Sequence, residues 1–165
     1  MEKYCRIRHS TFPARIAGIR ISALELETEK APPYSHRAAR RGEVVGLRLE
    51  ENHKSIVYLP GLPAINKSVD DFVTGCDCLL VDGTFWSERE MVSLGLSKRT
   101  AHATGHVPIS GAGGSLEWLR TLKVPRKIYT HINNTNPILK KNSPERRAVE
   151  QAGLEISQDG MDIRL

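Results

Sequence analysis

The sequence predicts an α/β protein built in layers. Two features point to that class. Short β-runs fill the first part of the chain, and helix-like and strand-like segments alternate through the rest. That order builds a sheet flanked by helices. The runs are also punctuated by Gly, Pro, Asn and Asp, the residues that stop regular structure.

Residues 16–26, IAGIRISALEL, partly alternate apolar and polar side chains and read as a strand. The next stretch, EKAPPYSHRAARRGE, is too rich in proline and charge for regular structure. VVGLRLE (44–50) and KSIVYLP (54–60), split by Glu51-Asn52-His53, form an expected hairpin. Ile65, Val69 and Phe72 are spaced for one face of a short helix over 64–75. Cys76 to Val81 is a nearly continuous apolar run, expected as a strand covered on both faces.

A helix is expected over 87–94, N-capped by Ser87 with Glu90 in the capping-box position. Residues 95–114 are Gly-rich and without period, a long irregular segment of the kind that carries function. Ser115 to Leu122 reads as a helix, followed by a strand over 126–131. Ser143-Pro144-Glu145 starts another helix, with Ser as cap and Pro at the first helical position. A strand at 154–157, an Asp159-Gly160 turn and a strand at 161–165 are expected to close the chain as a hairpin.

The 165 residues suit one domain or one large half of a bigger one. Hydrophobic residues make up 39% and charged residues 26%, which is ordinary for a globular protein with a slightly lean core. No apolar run approaches the ~20 residues of a membrane span. The start, MEKYCRIRHS, has no apolar signal region, so a cytoplasmic protein is expected. The net charge is +5, with clusters at Arg37-Arg40-Arg41, Lys140-Lys141 and Arg146-Arg147. No aromatics are interleaved with them, so a solvated basic surface is expected, and no nucleic-acid partner. An odd count of three cysteines argues against a disulfide framework. Cys76 and Cys78 are expected on one side of a strand, Cys78 as a core residue. No second cysteine pair completes a thiolate metal site.

Three features bear chemistry. In LLVDGTFW (79–86), a buried strand delivers Asp82 at its C-terminal end, the edge where α/β proteins build sites. A carboxylate there needs a partner or a metal; the alternative is a turn-capping Asp before Gly83. In TGHVPISGAGGSL (104–116), His106 stands in a Gly-rich loop that leads into a helix; the alternative is an exposed loop histidine. In KIYTHINNTNPIL (127–139), His131 ends a strand and is followed by Asn133, Asn134 and Asn136. These amides are expected to bind backbone and the second imidazole nitrogen, as a ligating histidine requires. Asp and His at two strand ends, with a loop His between them, favour a metal site for zinc, iron or manganese. His36 is a candidate pocket residue. His9, His53 and His102 read as surface residues.

APPYS (31–35), VVGLRLEE (44–51), YLPGL (58–62), DCLLVDGTFW (77–86), GHVPISGAGGS (105–115), THINNTNPIL (130–139) and NSPERRAVEQAGLEISQDGMDI (142–163) closely resemble the coenzyme PQQ synthesis protein B family. The resemblance covers residues 16–165 and leaves 1–15 unmatched. It implies the metallo-β-lactamase fold, a four-layer αββα sandwich, of which this chain would be the C-terminal half. It implies a part in pyrroloquinoline quinone (PQQ) biosynthesis. One attached activity is metal-dependent oxygenation of the tyrosine of a peptide-derived precursor; the other is carriage of PQQ or its precursor toward the periplasm. By resemblance Asp82 and His131 are metal ligands for a divalent iron or zinc, and His106 is the catalytic histidine. His36, Arg37, Asn133 and Asn134 are the expected substrate contacts. The D-x-D-H metal element expected in an N-terminal half is absent. The metal site is therefore expected to be incomplete, and completed by that missing half or by a homo-oligomer; an inactive remnant is the remaining alternative.

Overall fold

The computed structural model describes residues 14–26, 28 and 42–165. Cys5, His9 and most of the Pro-rich loop, with His36 and Arg37, lie outside the described residues. The described chain forms one seven-stranded mixed sheet whose spatial order is its sequence order. Strands β1 (Ala14–Ile16), β2 (Ile19–Glu25), β3 (Val45–Glu51) and β4 (Lys54–Leu59) form an antiparallel meander. Strands β5 (Cys78–Asp82), β6 (Arg126–Thr130) and β7 (Glu155–Ile156) then add in parallel, each reached through helical connections. The expected α/β class is what the chain adopts. No helix among the described residues is long and apolar enough to cross a membrane.

Local chemistry explains the elements. The β3–β4 hairpin turns on Asn52 and His53, both at positive φ (48° and 66°), the signature of a tight two-residue turn. The expected strand at 16–26 is split: Ala17 and Gly18 (φ 50° and 89°) make a second tight turn between β1 and β2. Helix α1 (Lys67–Val73) is capped by the Asn66 side chain, which accepts from the Val69 amide at 3.1 Å. Arg48 on β3 reaches its other end and donates to the Phe72 and Thr74 carbonyls at 3.0 Å each, which satisfies acceptors that a helix end leaves open. Helix α4 (Pro144–Gln151) starts as its sequence predicts, with Ser143 accepting from the Arg146 amide at 3.0 Å.

Three expectations need correction. Helix α2 spans only Glu90–Ser93, and Ser87 is not its cap. The Glu90 carboxylate does reach back to a backbone amide, but to that of Trp86, at 2.7 Å. Residues 161–165 form no strand. The chain turns at Asp159-Gly160, but Arg126 holds the Arg164 carbonyl (3.2 Å), and β7 pairs in parallel with β6 instead of in a hairpin. Cys76 lies ahead of β5 and belongs to the core under the helices, whereas Cys78 does not, so the two do not share a face.

The sheet has two different faces. Val57, Leu59, Leu79, Val81 and Tyr129 point to one side. There they pack with Val69 and Val73 of α1, Leu116 and Leu119 of α3 (Ser115–Thr121) and Val149 of α4. On the other side the register lines up Ile21, Leu49, Ile56 and Cys78 in one row. Ala23, Leu47, Tyr58, Leu80 and Ile128 form the next row. None of these belongs to the helix-side core, and Tyr58 is 37% exposed.

A half-covered apolar face of this kind loses about 25 cal/mol for each Å² of apolar surface left in water. The isolated chain is expected to bind 1-anilinonaphthalene-8-sulfonate strongly and to elute in size-exclusion chromatography above its 18.4 kDa monomer mass. A monomer that leaves the dye dark would show the face to be covered.

Candidate metal centre

β5 and β6 run parallel with Asp82 opposite Thr130, so their C-terminal ends lie side by side at one sheet edge. Asp82 follows four apolar residues of β5 and has no solvent exposure. His131 follows Thr130 directly, at φ 53°. A left-handed histidine is uncommon, and such backbone costs roughly 1–3 kcal/mol unless its surroundings hold it. Here they do. Gly83 donates its amide to the Thr130 carbonyl (2.8 Å) and Asn133 its amide to the Thr84 carbonyl (3.1 Å), and the Thr84 hydroxyl oxygen lies 3.0 Å from the His131 carbonyl oxygen. The two strand-end segments are thus closed against each other. Gly83 is required for that approach: a Cβ there would meet Tyr129 Cβ at 3.0 Å and the Thr130 carbonyl oxygen at 3.2 Å.

The amides after His131 complete the closure. Asn136 is 2% exposed; its Nδ2 donates to the Gly83 carbonyl (2.8 Å) and its Oδ1 accepts from the Ile138 amide (3.1 Å). Asn133 Nδ2 donates to Thr135 Oγ1 (2.6 Å), which donates to Glu90 Oε1 (2.6 Å). Glu90 Oε2 accepts the Trp86 amide, so a buried carboxylate joins the Asn loop to the segment after Asp82. Asn134 is exposed. Of the three side-chain amides, Asn136 binds backbone as expected, whereas Asn133 binds the Thr135 side chain. The group on the second imidazole nitrogen is instead Thr84, whose Oγ1 lies 2.8 Å from His131 Nδ1.

His106 arrives from the long irregular segment. A single 3-10 turn (His102–Thr104) ends at Gly105, in left-handed backbone (φ 83°). The chain then runs beside Leu62 and Phe85-Trp86: Val107 donates to the Leu62 carbonyl (2.7 Å), Ile109 to Phe85 (2.9 Å) and Ser110 to Trp86 (2.8 Å). This pins the loop and points His106 inward, its side chain 13% exposed and edge-on to Phe85. The His106 and His131 rings stack at 5.4 Å between centroids, 22° from parallel. His53 and His102 are exposed, and His102 pairs with Glu88 at 2.6 Å.

Asp82 is the hub of the site. Its Oδ2 accepts the Leu62 amide (2.9 Å) and His106 Nδ1–H (2.7 Å). Its Oδ1 accepts the Thr84 amide (3.0 Å) and the Thr84 hydroxyl (2.5 Å), and lies 3.7 Å from His131 Nδ1. Burial alone pushes this carboxyl up, but the hydrogen bonds from His106 and Thr84, with the His131 imidazole close by, outweigh it and hold the group below the usual carboxylate value. By contrast, burial pushes the Cys76 thiol up to about 11, so it is protonated at neutral pH and no thiolate ligand.

One carboxylate oxygen and one nitrogen from each imidazole lie within 4.8 Å of one another. Oxygen and imidazole donors at that spacing suit zinc or iron, and three protein ligands with an open position is the catalytic pattern. The fit has one condition. A carboxylate has about four lone-pair sites, and Asp82 already accepts four hydrogen bonds. To ligate a cation it must exchange one of them. Sequence reasoning found Asp82, His106 and His131 but missed Thr84 and Glu90. Thr84 was signalled by Asp82-Gly83-Thr84, a pattern in which an Asp side chain binds the amide two residues on. Glu90 was signalled by its capping-box position.

The fold can be placed among known proteins. A family model described as Beta-lactamase superfamily domain matches residues 6–132. The chain is 43% identical over 177 residues to the coenzyme PQQ synthesis protein B of Methylococcus capsulatus, covering 100% of this chain and 58% of that protein. It is 47% identical over 154 residues to that of Nitrosococcus oceani, covering 91% of this chain and 50% of that protein. The crystal structure of Zn(2+)-bound PqqB from Methylobacterium extorquens superposes with a TM-score of 0.84 at 29% identity, over 91% of this chain and 52% of that one. The metallo-β-lactamase fold protein YhfI from Bacillus subtilis matches at a TM-score of 0.58 and 11% identity, a likeness of fold alone. The chain spans about half the length of the curated relatives it matches.

Because the folded state holds Asp82 below its ordinary pKa, its contribution to stability is complete above the usual carboxylate range. It is lost as pH falls from the ordinary value of 3.8 downward. Removing one partner of a buried, hydrogen-bonded charge costs roughly 3–5 kcal/mol. In chelator-treated protein, Asp82→Asn is expected to lower stability in urea by about that much at pH 7 and to flatten the acid limb. An acid limb as steep as the wild type's would assign the dependence to other carboxylates.

Proposed function

Since this chain belongs to the β-lactamase superfamily, we propose that it is the metal-site part of a PQQ-biosynthesis protein of the coenzyme PQQ synthesis protein B kind. The observation that carries this reading is the convergence of Asp82, His106 and His131 at the ends of two parallel strands. The likeness to a zinc-bound PqqB supports it. The reaction proposed is oxygenation of the tyrosine of a peptide-derived PQQ precursor.

In this reading His131 and Asp82 hold a divalent iron or zinc. Such a cation would supply a Lewis acid at the sheet edge. His106 handles a proton: its Nδ1 is held by Asp82 at 2.7 Å, which leaves Nε2 as the nitrogen that takes up or gives a proton. The stacked imidazoles keep that nitrogen beside the cation. Arg37 and His36 would meet the carboxylates of the precursor or of PQQ, since a guanidinium pairs well with a carboxylate. Asn133 is engaged with Thr135, so its share in substrate binding would be to shape the loop, and exposed Asn134 is the amide placed to touch substrate.

Two donors, one of them already saturated with hydrogen bonds, should hold a cation weakly. Elemental analysis after chelation and Zn²⁺ re-addition is expected to show metal that dialysis removes. His131→Ala should abolish even that binding, while His106→Ala keeps the fold. Oxygen uptake with Fe²⁺ and a precursor peptide containing tyrosine tests the reaction, in this chain and with the remaining length of a relative supplied in trans. Tight PQQ binding that needs no metal, together with no oxygen uptake, would replace the oxygenase reading with a carrier.

A further inference from the structure

Thr84 is 7% exposed and stands among all three residues of the site. Its hydroxyl oxygen lies 2.5 Å from Asp82 Oδ1, 2.8 Å from His131 Nδ1, 3.0 Å from the His131 carbonyl oxygen and 3.1 Å from His106 Nδ1. A hydroxyl has one proton to give and two lone pairs to accept with. Neither the Asp82 carboxylate nor the His131 carbonyl can donate. If Thr84 gave its proton to His131 Nδ1, two oxygens would face each other at 2.5 Å with no proton between them. The shortest contact therefore takes the proton, and the Thr84 oxygen receives one from His131. His106 Nδ1 faces only acceptors as well, Asp82 Oδ2 at 2.7 Å and the Thr84 oxygen.

We propose that Thr84 is a positioning residue. Its hydroxyl donates to Asp82 and accepts from His131 Nδ1–H, which fixes His131 in the Nδ1–H tautomer and makes Nε2 the nitrogen that ligates a cation. The proposal rests on the metal-site reading for its purpose, not for its geometry. A histidine in water favours neither the ring orientation nor the tautomer that a site needs. A partner on one nitrogen sets both. Here that partner is not a carboxylate on the histidine itself but a hydroxyl interposed between the carboxylate and the ring. Asp82 thus governs two histidines, His106 directly and His131 through Thr84. Branching at Cβ limits Thr84 to few rotamers, which holds the hydroxyl in place.

The test uses the full chain labelled with ¹⁵N, free of metal, with the pH raised until the ¹⁵N shifts themselves show both rings neutral. Long-range ¹H–¹⁵N correlations read each histidine's tautomer directly. His106 and His131 are expected to show the Nδ1–H pattern. Thr84→Val should move His131 to a mixture or to Nε2–H while His106, held by Asp82, keeps its pattern. Thr84→Ser should restore His131. Titration with Zn²⁺ alone should show roughly 10–100-fold weaker binding for Thr84→Val and near wild-type binding for Thr84→Ser. An Nε2–H pattern for His131 in the wild type overturns the proposal, and that measurement stands even if Thr84→Val fails to fold. An unchanged His131 pattern in a folded Thr84→Val overturns it too. Tautomers that respond as stated, with no zinc binding in any variant, would uphold the positioning role and remove the metal reading instead.

Discussion

The structure around the sheet edge depends on one constraint: a carboxylate with no solvent exposure must be satisfied from within the protein. Asp82 meets that demand with four donors from three separate places in the chain. They are the Leu62 amide after β4, the amide and hydroxyl of Thr84, and the His106 ring. Each donor fixes a segment that has little regular structure of its own. The turn after β4, the turn after β5 and the loop before α3 are held in register because they share one acceptor. Remove the charge and three connections lose a common anchor. The buried carboxylate organises the site before any ligand enters it.

A second layer holds the other partner. His131 can face Asp82 only because the chain after β6 turns sharply back along the chain after β5. The turn places a non-glycine residue in left-handed backbone. Gly83 allows the approach, and Asn136 and Asn133 secure it through backbone groups. Glu90 extends the same network to α2 through Thr135 and the Trp86 amide. The run of asparagines is therefore chiefly a device for holding a histidine by its backbone. The contact on the imidazole itself comes from a different strand end.

The layered fold was legible in the sequence because periodicity, turn residues and caps agreed with one another over β3, β4, α1, β5, α3, β6 and α4. Asp82 was legible because it ends an apolar run, where burial of a carboxylate demands a partner, and His131, which is exposed, was legible as the end of a β-run followed by amides. His106 was legible from its Gly-flanked loop. The failures have physical causes. Ser87 and Glu90 look like a capping box, but tertiary demand for Glu90 at Trp86 and Thr135 overrode the local motif. The Asp159-Gly160 turn was read correctly as a turn and wrongly as a hairpin, because a turn signal does not say that a partner strand follows. Thr84 was legible only as the turn partner of Asp82, since the rest of its role is set by side chains 22 and 47 positions away in sequence. The two-sided sheet was partly legible: the continuous apolar run from Cys76 to Val81 predicts a strand covered on both faces, but not which face the helices take.

Preparing a site and filling it make opposite demands on Asp82. As an orienting acceptor it is strongest with all four hydrogen bonds intact. As a ligand it must release one, and the Leu62 and Thr84 amides are fixed by backbone. The bonds that can yield are the two from side chains, His106 and the Thr84 hydroxyl. If His106 yields, its Nε2 would still be open to take up or give a proton. If Thr84 yields, the hold on His131 loosens when that residue is most needed. Fixed geometry therefore favours His106 as the group that changes partner on occupancy. In the metal-site reading that choice would keep His131 oriented by Thr84 and would couple a cation on Asp82 to release of the loop histidine.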